Sequence, residues 1–141
     1  MTPLEALQAT LAGEHAAVYV YGVLGGRVSA TAEPALATAL RAAYDVHRLR
    51  RDQVTAMVRA ADAEPVAAAV AYELPTAADT AALCRRAAAV LEERCAEVYA
   101  TMVGSTARAN RQWAIDALTD AAVRGLTFGL APLAWPGAPE L

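Results

Sequence analysis

The chain has no lysine: all 12 of its basic residues are arginine, set against 15 acidic residues, for a formal net charge of −3. Nucleic-acid binders draw most of their affinity from clusters of basic side chains on phosphates. The acidic balance, with a sequence pI near 5.3, therefore argues against a nucleic-acid partner.

Long apolar runs and cysteines are also scarce. The longest apolar runs reach about seven residues, whereas a membrane-spanning helix needs about 20. The first residues carry early acids and no basic segment, so we expect no secretion signal. Two cysteines, Cys84 and Cys95, are too few for a disulfide framework, and 11 residues apart on one helix they cannot bridge each other. These observations predict a cytoplasmic protein without a membrane span.

Alanine is abundant instead, with 38 residues, and 57% of the chain is hydrophobic. Alanine is the strongest helix former, so the composition favours helices over sheets. A chain of 141 residues is long enough to bury one core of its own. We therefore predict a single all-α domain over residues 1–141.

Four amphipathic segments are visible. Helix 1 is predicted to begin with a capping box at Thr2–Glu5 and to close at Gly25-Gly26. Helix 2 runs from Glu33-Pro34 to about Ala61. Helix 3 is predicted to begin at Thr76–Asp79 and to end at Gly104. Helix 4 runs from about Thr106 to Leu126 with four apolar residues inward, and residues 129–141 form an irregular tail. The inward residues expected on helix 4 are Ile115, Leu118, Ala122 and Leu126.

The lengths of the links select the topology. The first and third links are short, which makes helices 1 and 2, and helices 3 and 4, antiparallel neighbours. The middle link, residues 62–78, can span roughly 55 Å when extended. It can therefore cross the whole bundle and leave helices 2 and 3 parallel, which is the ferritin-like connection. A short helix over residues 66–72 within the link is an alternative.

Three polar residues fall on apolar faces near the middle of the predicted bundle. Glu14 lies between Leu11 and Val18 on helix 1, His47 lies midway between Leu40 and Val54 on helix 2, and Glu92 borders the apolar face of helix 3. Counting residues from the turns places all three at a similar depth. Since a buried carboxylate is costly unless it is paired, we expect Glu14, His47 and Glu92 to converge.

Three sequence segments resemble a bacterial family of ferritin-like domains of unknown function. They are residues 13–22 (GEHAAVYVYG), 47–52 (HRLRRD) and 71–75 (AYELP). The resemblance covers nearly the whole chain. It implies a ferritin-like four-helix bundle with one long crossover between helices 2 and 3. In active members of the wider superfamily it also implies a di-metal site, built from one Glu on each of two helices and a Glu-x-x-His on each of the other two.

The sequence departs from that ligand set. Glu14 and Glu92 match the single glutamates, but Tyr44 stands where the glutamate paired with His47 belongs, and helix 4 has only Asp116 in the matching stretch. Arg51, one turn beyond His47, can place a permanent cation where a metal would lie. We therefore predict no di-metal centre and no cofactor, but a buried polar cluster. Its predicted members are Glu14, Tyr44, His47, Arg51 and Glu92.

Three functions remain open, and no catalytic residue is predicted because no nucleophile arrangement or phosphate-binding loop is present. The first is a non-catalytic association or binding module. The second is a metal-binding or redox protein in which Glu14, His47 and Glu92 hold a single iron or other divalent metal. The third is a carrier that binds a small ligand in an emptied metal cavity lined by Tyr44 and Tyr99.

Apolar residues outside the four predicted faces indicate a homodimer, because contiguous apolar surface usually marks a contact. They are Val90, Trp113, Val123, Phe128, Leu130, Leu133 and Trp135. The alternative is that the tail folds back over its own helices and covers them.

Overall fold

The computed structural model describes residues 1–140, and it is all-helical, with no strand among them. The helices are α1 (Pro3–Arg27), α2 (Pro34–Ala60), α3 (Ala81–Ser105) and α4 (Arg108–Thr127). The predicted all-α four-helix bundle is confirmed. None of the helices in residues 1–140 combines the length and apolar character that a membrane crossing requires.

The predicted start of α1 is confirmed, and its predicted end is wrong. The Thr2 side chain accepts a hydrogen bond from the Glu5 backbone N–H, and the Glu5 carboxylate accepts one from the Thr2 N–H. Gly25 and Gly26 do not stop the helix, because neither adopts the left-handed conformation that a glycine cap uses. The helix continues to Arg27 and ends at Val28 in an extended conformation.

The middle link runs along α1 in an extended course and contains no helix between residues 61 and 80. Gln8 donates to the Glu64 carbonyl at 2.7 Å and accepts from the Val66 N–H at 2.9 Å, while Arg27 donates to the Ala78 carbonyl at 3.4 Å. The link therefore begins beside the first turns of α1 and finishes beside its last turn. The alternative of a short helix over residues 66–72 is wrong: the Val66 N–H donates to Gln8, and the Val66 carbonyl lies 3.0 Å from His15 Nε2, both on α1.

Helix α3 begins later than predicted. Thr80, not Thr76, is its N-cap, and its hydroxyl accepts from the Leu83 N–H at 3.2 Å. Ala78 is buried, and its carbonyl accepts from Arg27 and from the Cys84 thiol. Residues 76–80 are thereby held as part of the link, which seals the end of the core.

Hydrogen bonds between helices fix their directions. Tyr21 of α1 pairs with Glu92 of α3, and Glu14 pairs with Tyr99, so residue numbers fall on one helix as they rise on the other. Helix α3 is therefore antiparallel to α1, as is α2 through its short link. Helices α2 and α3 are parallel, and the predicted crossover is confirmed.

The inward face of α4 differs from the prediction by one position. The buried residues are Ala114, Ala117, Ala121 and Gly125, whereas Ile115 and Leu126 are exposed. The buried face of α4 thus consists of small residues, and two of the larger side chains predicted to point inward lie outside. The rest of the core forms two apolar clusters, one around Leu24, Leu40 and Cys84 and one around Leu11, Val54 and Met102.

Candidate functional site

His47 lies at the centre of the bundle between two carboxylates. Its Nδ1 is 2.8 Å from Glu14 Oε2, and its Nε2 is 3.1 Å from Glu92 Oε1. All three residues are at most 1% exposed. The structure thus brings together the three residues whose spacing placed them at one depth, and one imidazole links helices α1, α2 and α3.

Two tyrosines extend this arrangement across the α1–α3 interface. Tyr21 donates to Glu92 Oε1 at 2.5 Å, and Tyr99 donates to Glu14 Oε1. Helices α1 and α3 each carry a glutamate and a tyrosine seven residues apart. The pairs are Glu14 and Tyr21 on α1 and Glu92 and Tyr99 on α3. Seven residues are about two turns, so both side chains share a face, and antiparallel packing sets each tyrosine opposite the other helix's glutamate.

A second layer of charges lies beside this chain of hydrogen bonds. Arg50 donates to Asp120 Oδ2 at 2.5 Å and to the Tyr99 hydroxyl at 3.4 Å. Arg124 donates to the same Asp120 oxygen at 2.6 Å, and its Nη1 is 3.9 Å from Glu92 Oε2. The network therefore holds three acidic and three basic side chains, so its formal charges balance.

Arg51 is not the cation of the cluster, which corrects the sequence prediction. It is partly exposed and pairs with its neighbour Asp52, while Arg50 points inward. The buried face of α2 alternates in steps of three and four through Leu40, Ala43, His47, Arg50 and Val54. Arg50 continues this alternation, and that pattern in the sequence could have identified it.

Tyr44 also lies outside the cluster. It is half-buried, its ring stands 5.5 Å from the Arg48 guanidinium carbon, and it lines a groove between α1 and α2. Asp116 is exposed and accepts from Gln112 on its own helix. The prediction named Tyr99 only as the lining of an emptied cavity, and it missed Tyr21, Arg50, Asp120 and Arg124. The repeated Glu-x6-Tyr spacing was the available signal for the two tyrosines.

The electrostatics favour a protonated His47. Burial by itself lowers the pKa of an imidazole, but hydrogen bonds to Glu14 and Glu92 outweigh burial and raise the pKa of His47 to about 9. Burial, reinforced by the Glu92 carboxylate, raises the pKa of Tyr21, and burial with Glu14 does the same for Tyr99. Tyr21 stacks on the His47 ring at 5.3 Å, and the Arg50 guanidinium lies 5.2 Å from the centre of the Tyr99 ring. Each buried cation thus has an aromatic face beside it.

These side chains do not fit a di-metal centre. Both oxygens of Glu14, Oε1 of Glu92 and both nitrogens of His47 are already engaged with protein groups, and the imidazole fills the space between the carboxylates. Within residues 1–140 only Glu92 Oε2 is a buried side-chain oxygen or nitrogen without a hydrogen-bond partner. No group of three His, Cys, Asp or Glu side chains in that range is arranged to hold a metal ion.

Both cysteines lie on α3, buried and unpaired in the part of the chain that the structure describes. Burial, reinforced by Glu92 and Glu14, raises the pKa of Cys95 well above its ordinary value. A reactive thiol needs the opposite shift. Cys95 therefore packs as a small apolar residue beside the network.

Comparison with known proteins shows a family but no activity. No protein of curated function matches the chain. The fold is similar to the crystal structure of a conserved hypothetical protein, rv2844, from Mycobacterium tuberculosis, with 32% sequence identity, a TM-score of 0.83, and coverage of 95% of this chain and 92% of that one. The model of a domain of unknown function, DUF4439, matches residues 6–140. The chain therefore belongs to the DUF4439 family.

Proposed function

We propose that the protein is a non-catalytic bundle of the ferritin-like type that works by association, first of all with a second copy of itself. The enclosure of His47 carries this proposal. Catalysis by a general acid or base requires hydrogen-bond reach to a substrate. The central side chains are buried from solvent: His47 bonds to Glu14 and Glu92, and no substrate can reach these atoms.

The ferritin-like relation is supported by the crossover and by the origin of the central carboxylates. Glu14 and Glu92 come from the two helices that match the single-glutamate helices of a di-metal bundle. Here protonated His47, with Arg50 and Arg124 beside it, supplies the positive charge that such carboxylates require. In this proposal the centre of the bundle is a structural element, and the function resides on the surface.

The surface that we assign to the dimer is the α4–tail face, defined as Ile115, Val123, Leu126, Leu133 and Trp135. All five side chains are exposed, Val123 and Trp135 by about 60% (59% and 62%). The three α4 residues fall within about 80° of one another around the helix. Val123, Leu126 and Leu133 also line a cavity of about 120 Å³ between α3, α4 and the tail. Part of the face therefore surrounds a recess that can accept a projecting side chain.

Some of the apolar residues that suggested a homodimer pack against other residues of the same chain. Phe128 is buried against Tyr21, and Trp113 packs edge-on to Tyr99 and donates to Gln53. Leu133 and Trp135 are not covered in this way. A closed two-fold dimer is the commonest assembly that buries such a patch.

Light scattering at micromolar concentration tests the dimer. We expect twice the 14.7 kDa mass of the chain, and the mass of one chain for Val123→Arg, because a charge buried at the centre of an apolar contact is costly. Leu49→Arg on α2 is the matched control, since Leu49 is as exposed as Val123 (59%) but lies on another helix. A wild-type mass of one chain that does not change with concentration would contradict the proposal.

A further inference from the structure

The largest of the described grooves lies between the end of α1 and the beginning of α2, away from the α4–tail face. Its volume is about 450 Å³, within the range of about 300 to 1,000 Å³ that is typical of small-molecule sites. Gly22, Gly25 and Gly26 form one side of the groove, and Leu40, Arg41 and Tyr44 form part of the other.

Neither the backbone conformation nor the packing of the described chain requires glycine at positions 25 and 26. Gly25 and Gly26 lie in the last turn of α1, where glycine forms helix less readily than alanine. Neither uses a positive φ, and a Cβ added to either would meet no atom of residues 1–140 within 4 Å, apart from its own helix backbone and chain neighbours. Neither a backbone requirement nor close packing therefore explains them. Their effect is to keep the groove open.

Two tyrosines contribute to the walls of the groove. Tyr21 forms part of the inner wall, and Tyr44 lines the α2 side, 3.7 Å from the position of a Cβ on Gly22. The Tyr21 hydroxyl is already bonded to Glu92, which leaves ring and helix surface for contact. These walls can accept a planar aromatic ring system that packs against the glycines.

Two arginine side chains supply positive charge at the groove. Arg41 lines it with a largely exposed side chain, held only loosely by Asp45 at 3.6 Å, and Arg48 lies against the Tyr44 ring. Ala37, in the first turn of α2, also lines the groove, and the N-cap Glu33 makes no side-chain cap within the described chain. The positive end of the α2 dipole is offset by the negative end of the α1 dipole, since Gly25 and Gly26 of the last α1 turn line the same groove, so Arg41 is the positive group offered to an anion.

We propose that this groove binds a small aromatic organic anion, with its ring system on Gly22, Gly25 and Gly26 and its acidic group at Arg41. The site is separate from the metal-type cavity of ferritin-like bundles, whose place His47 fills. It is also separate from the α4–tail face, so it stands whether or not the chain dimerises.

Fluorescence titration with 1-anilinonaphthalene-8-sulfonate, an aromatic monoanion, tests the site. We expect Gly25→Leu to melt close to wild type, because a Cβ there meets no other residue, and to bind at least about tenfold more weakly, because the rest of the side chain enters the groove. Gly104→Leu is the matched control: Gly104 lies inside α3 with equally free space and lines none of the described grooves, so its affinity should equal that of wild type. Equal affinity of Gly25→Leu and wild type would overturn the proposal.

Arg41→Gln separates recognition of charge from recognition of the ring. We expect about a threefold loss of affinity for the sulfonate and no change for the neutral 1-anilinonaphthalene, because an exposed ion pair contributes little more than this. Val123→Arg removes the apolar α4–tail face as an alternative dye site. Loss of binding in Val123→Arg with retention in Gly25→Leu would also overturn the assignment.

Discussion

At the scale of single residues, the most consequential side chain is His47. It separates two buried carboxylates that would otherwise repel each other, and its protonation makes the centre of the bundle electrically balanced. Breaking a buried pair by removing one partner is far costlier than losing an exposed contact, because the remaining charge stays buried without compensation.

We predict that His47→Ala lowers the free energy of unfolding by about 3 to 5 kcal/mol. His15→Ala is the control, since His15 is only half-buried and its Nε2 makes one surface hydrogen bond to the Val66 carbonyl at 3.0 Å. That change should cost no more than about 1 kcal/mol. Chemical denaturation at pH 7 measures both free energies of unfolding. Similar losses in the two variants would show that the buried network stabilises the fold no more than one surface hydrogen bond does.

Stability should fall as pH rises from 6.5 towards 9. The pKa of His47 is raised from 6.5 to about 9, so over that interval the folded chain keeps a proton that the unfolded chain releases. The contribution of His47 is therefore complete below pH 6.5 and is lost progressively to pH 9, a total of about 3 kcal/mol. Denaturation midpoints across this range should show the decline in wild type and not in His47→Gln. Parallel curves for the two proteins would contradict the prediction.

At the scale of elements, the irregular tail is docked rather than free. Gly137 has φ +75°, and a Cβ there would lie 2.2 Å from the Ala96 carbonyl oxygen and 3.0 Å from the Ala100 Cβ. The tail therefore approaches the backbone of α3 as closely as only glycine allows. This contact holds Leu133 and Pro136 beside the cavity at the α4–tail face.

We predict that Gly137→Ala releases the tail from α3. The expected cost is at least about 1 kcal/mol, together with faster protease cleavage near Trp135, because neither the steric clash nor the backbone angle can be relieved locally. Gly104→Ala, in the open last turns of α3, should be neutral or slightly stabilising. Unchanged proteolysis in Gly137→Ala would show that this contact does not hold the tail.

At the scale of the whole molecule, a crossover link and a polar central layer define the bundle. The link ties both ends of α1, and the polar layer divides the apolar core into two clusters. An out-of-register sliding of any helix would leave Glu14 or Glu92 without its partner. The polar layer thus selects one alignment of the helices, at a cost in desolvation.

We predict that protein purified without chelator contains no di-metal centre. The imidazole already occupies the space between Glu14 and Glu92. The cationic side chains of the network already balance the negative charge of its carboxylates. Elemental analysis provides the measurement. About two metal equivalents per chain, lost in Glu14→Gln and in His47→Gln, would contradict the prediction.

The sequence alone determined the four helices, the crossover and the convergence of Glu14, His47 and Glu92. Periodicity and link length are local properties, so these features could be read without knowing which helices touch. Only the tertiary structure decided which groups Arg50 meets, because Tyr99 and Asp120 lie on two other helices and 49 and 70 residues away along the chain. It also decided which face of α4 is buried, since a helix of mixed alanine and larger apolar residues shows no single preferred side. In both cases the outcome depends on which side chains distant parts of the chain bring together, and a local sequence pattern does not contain that information.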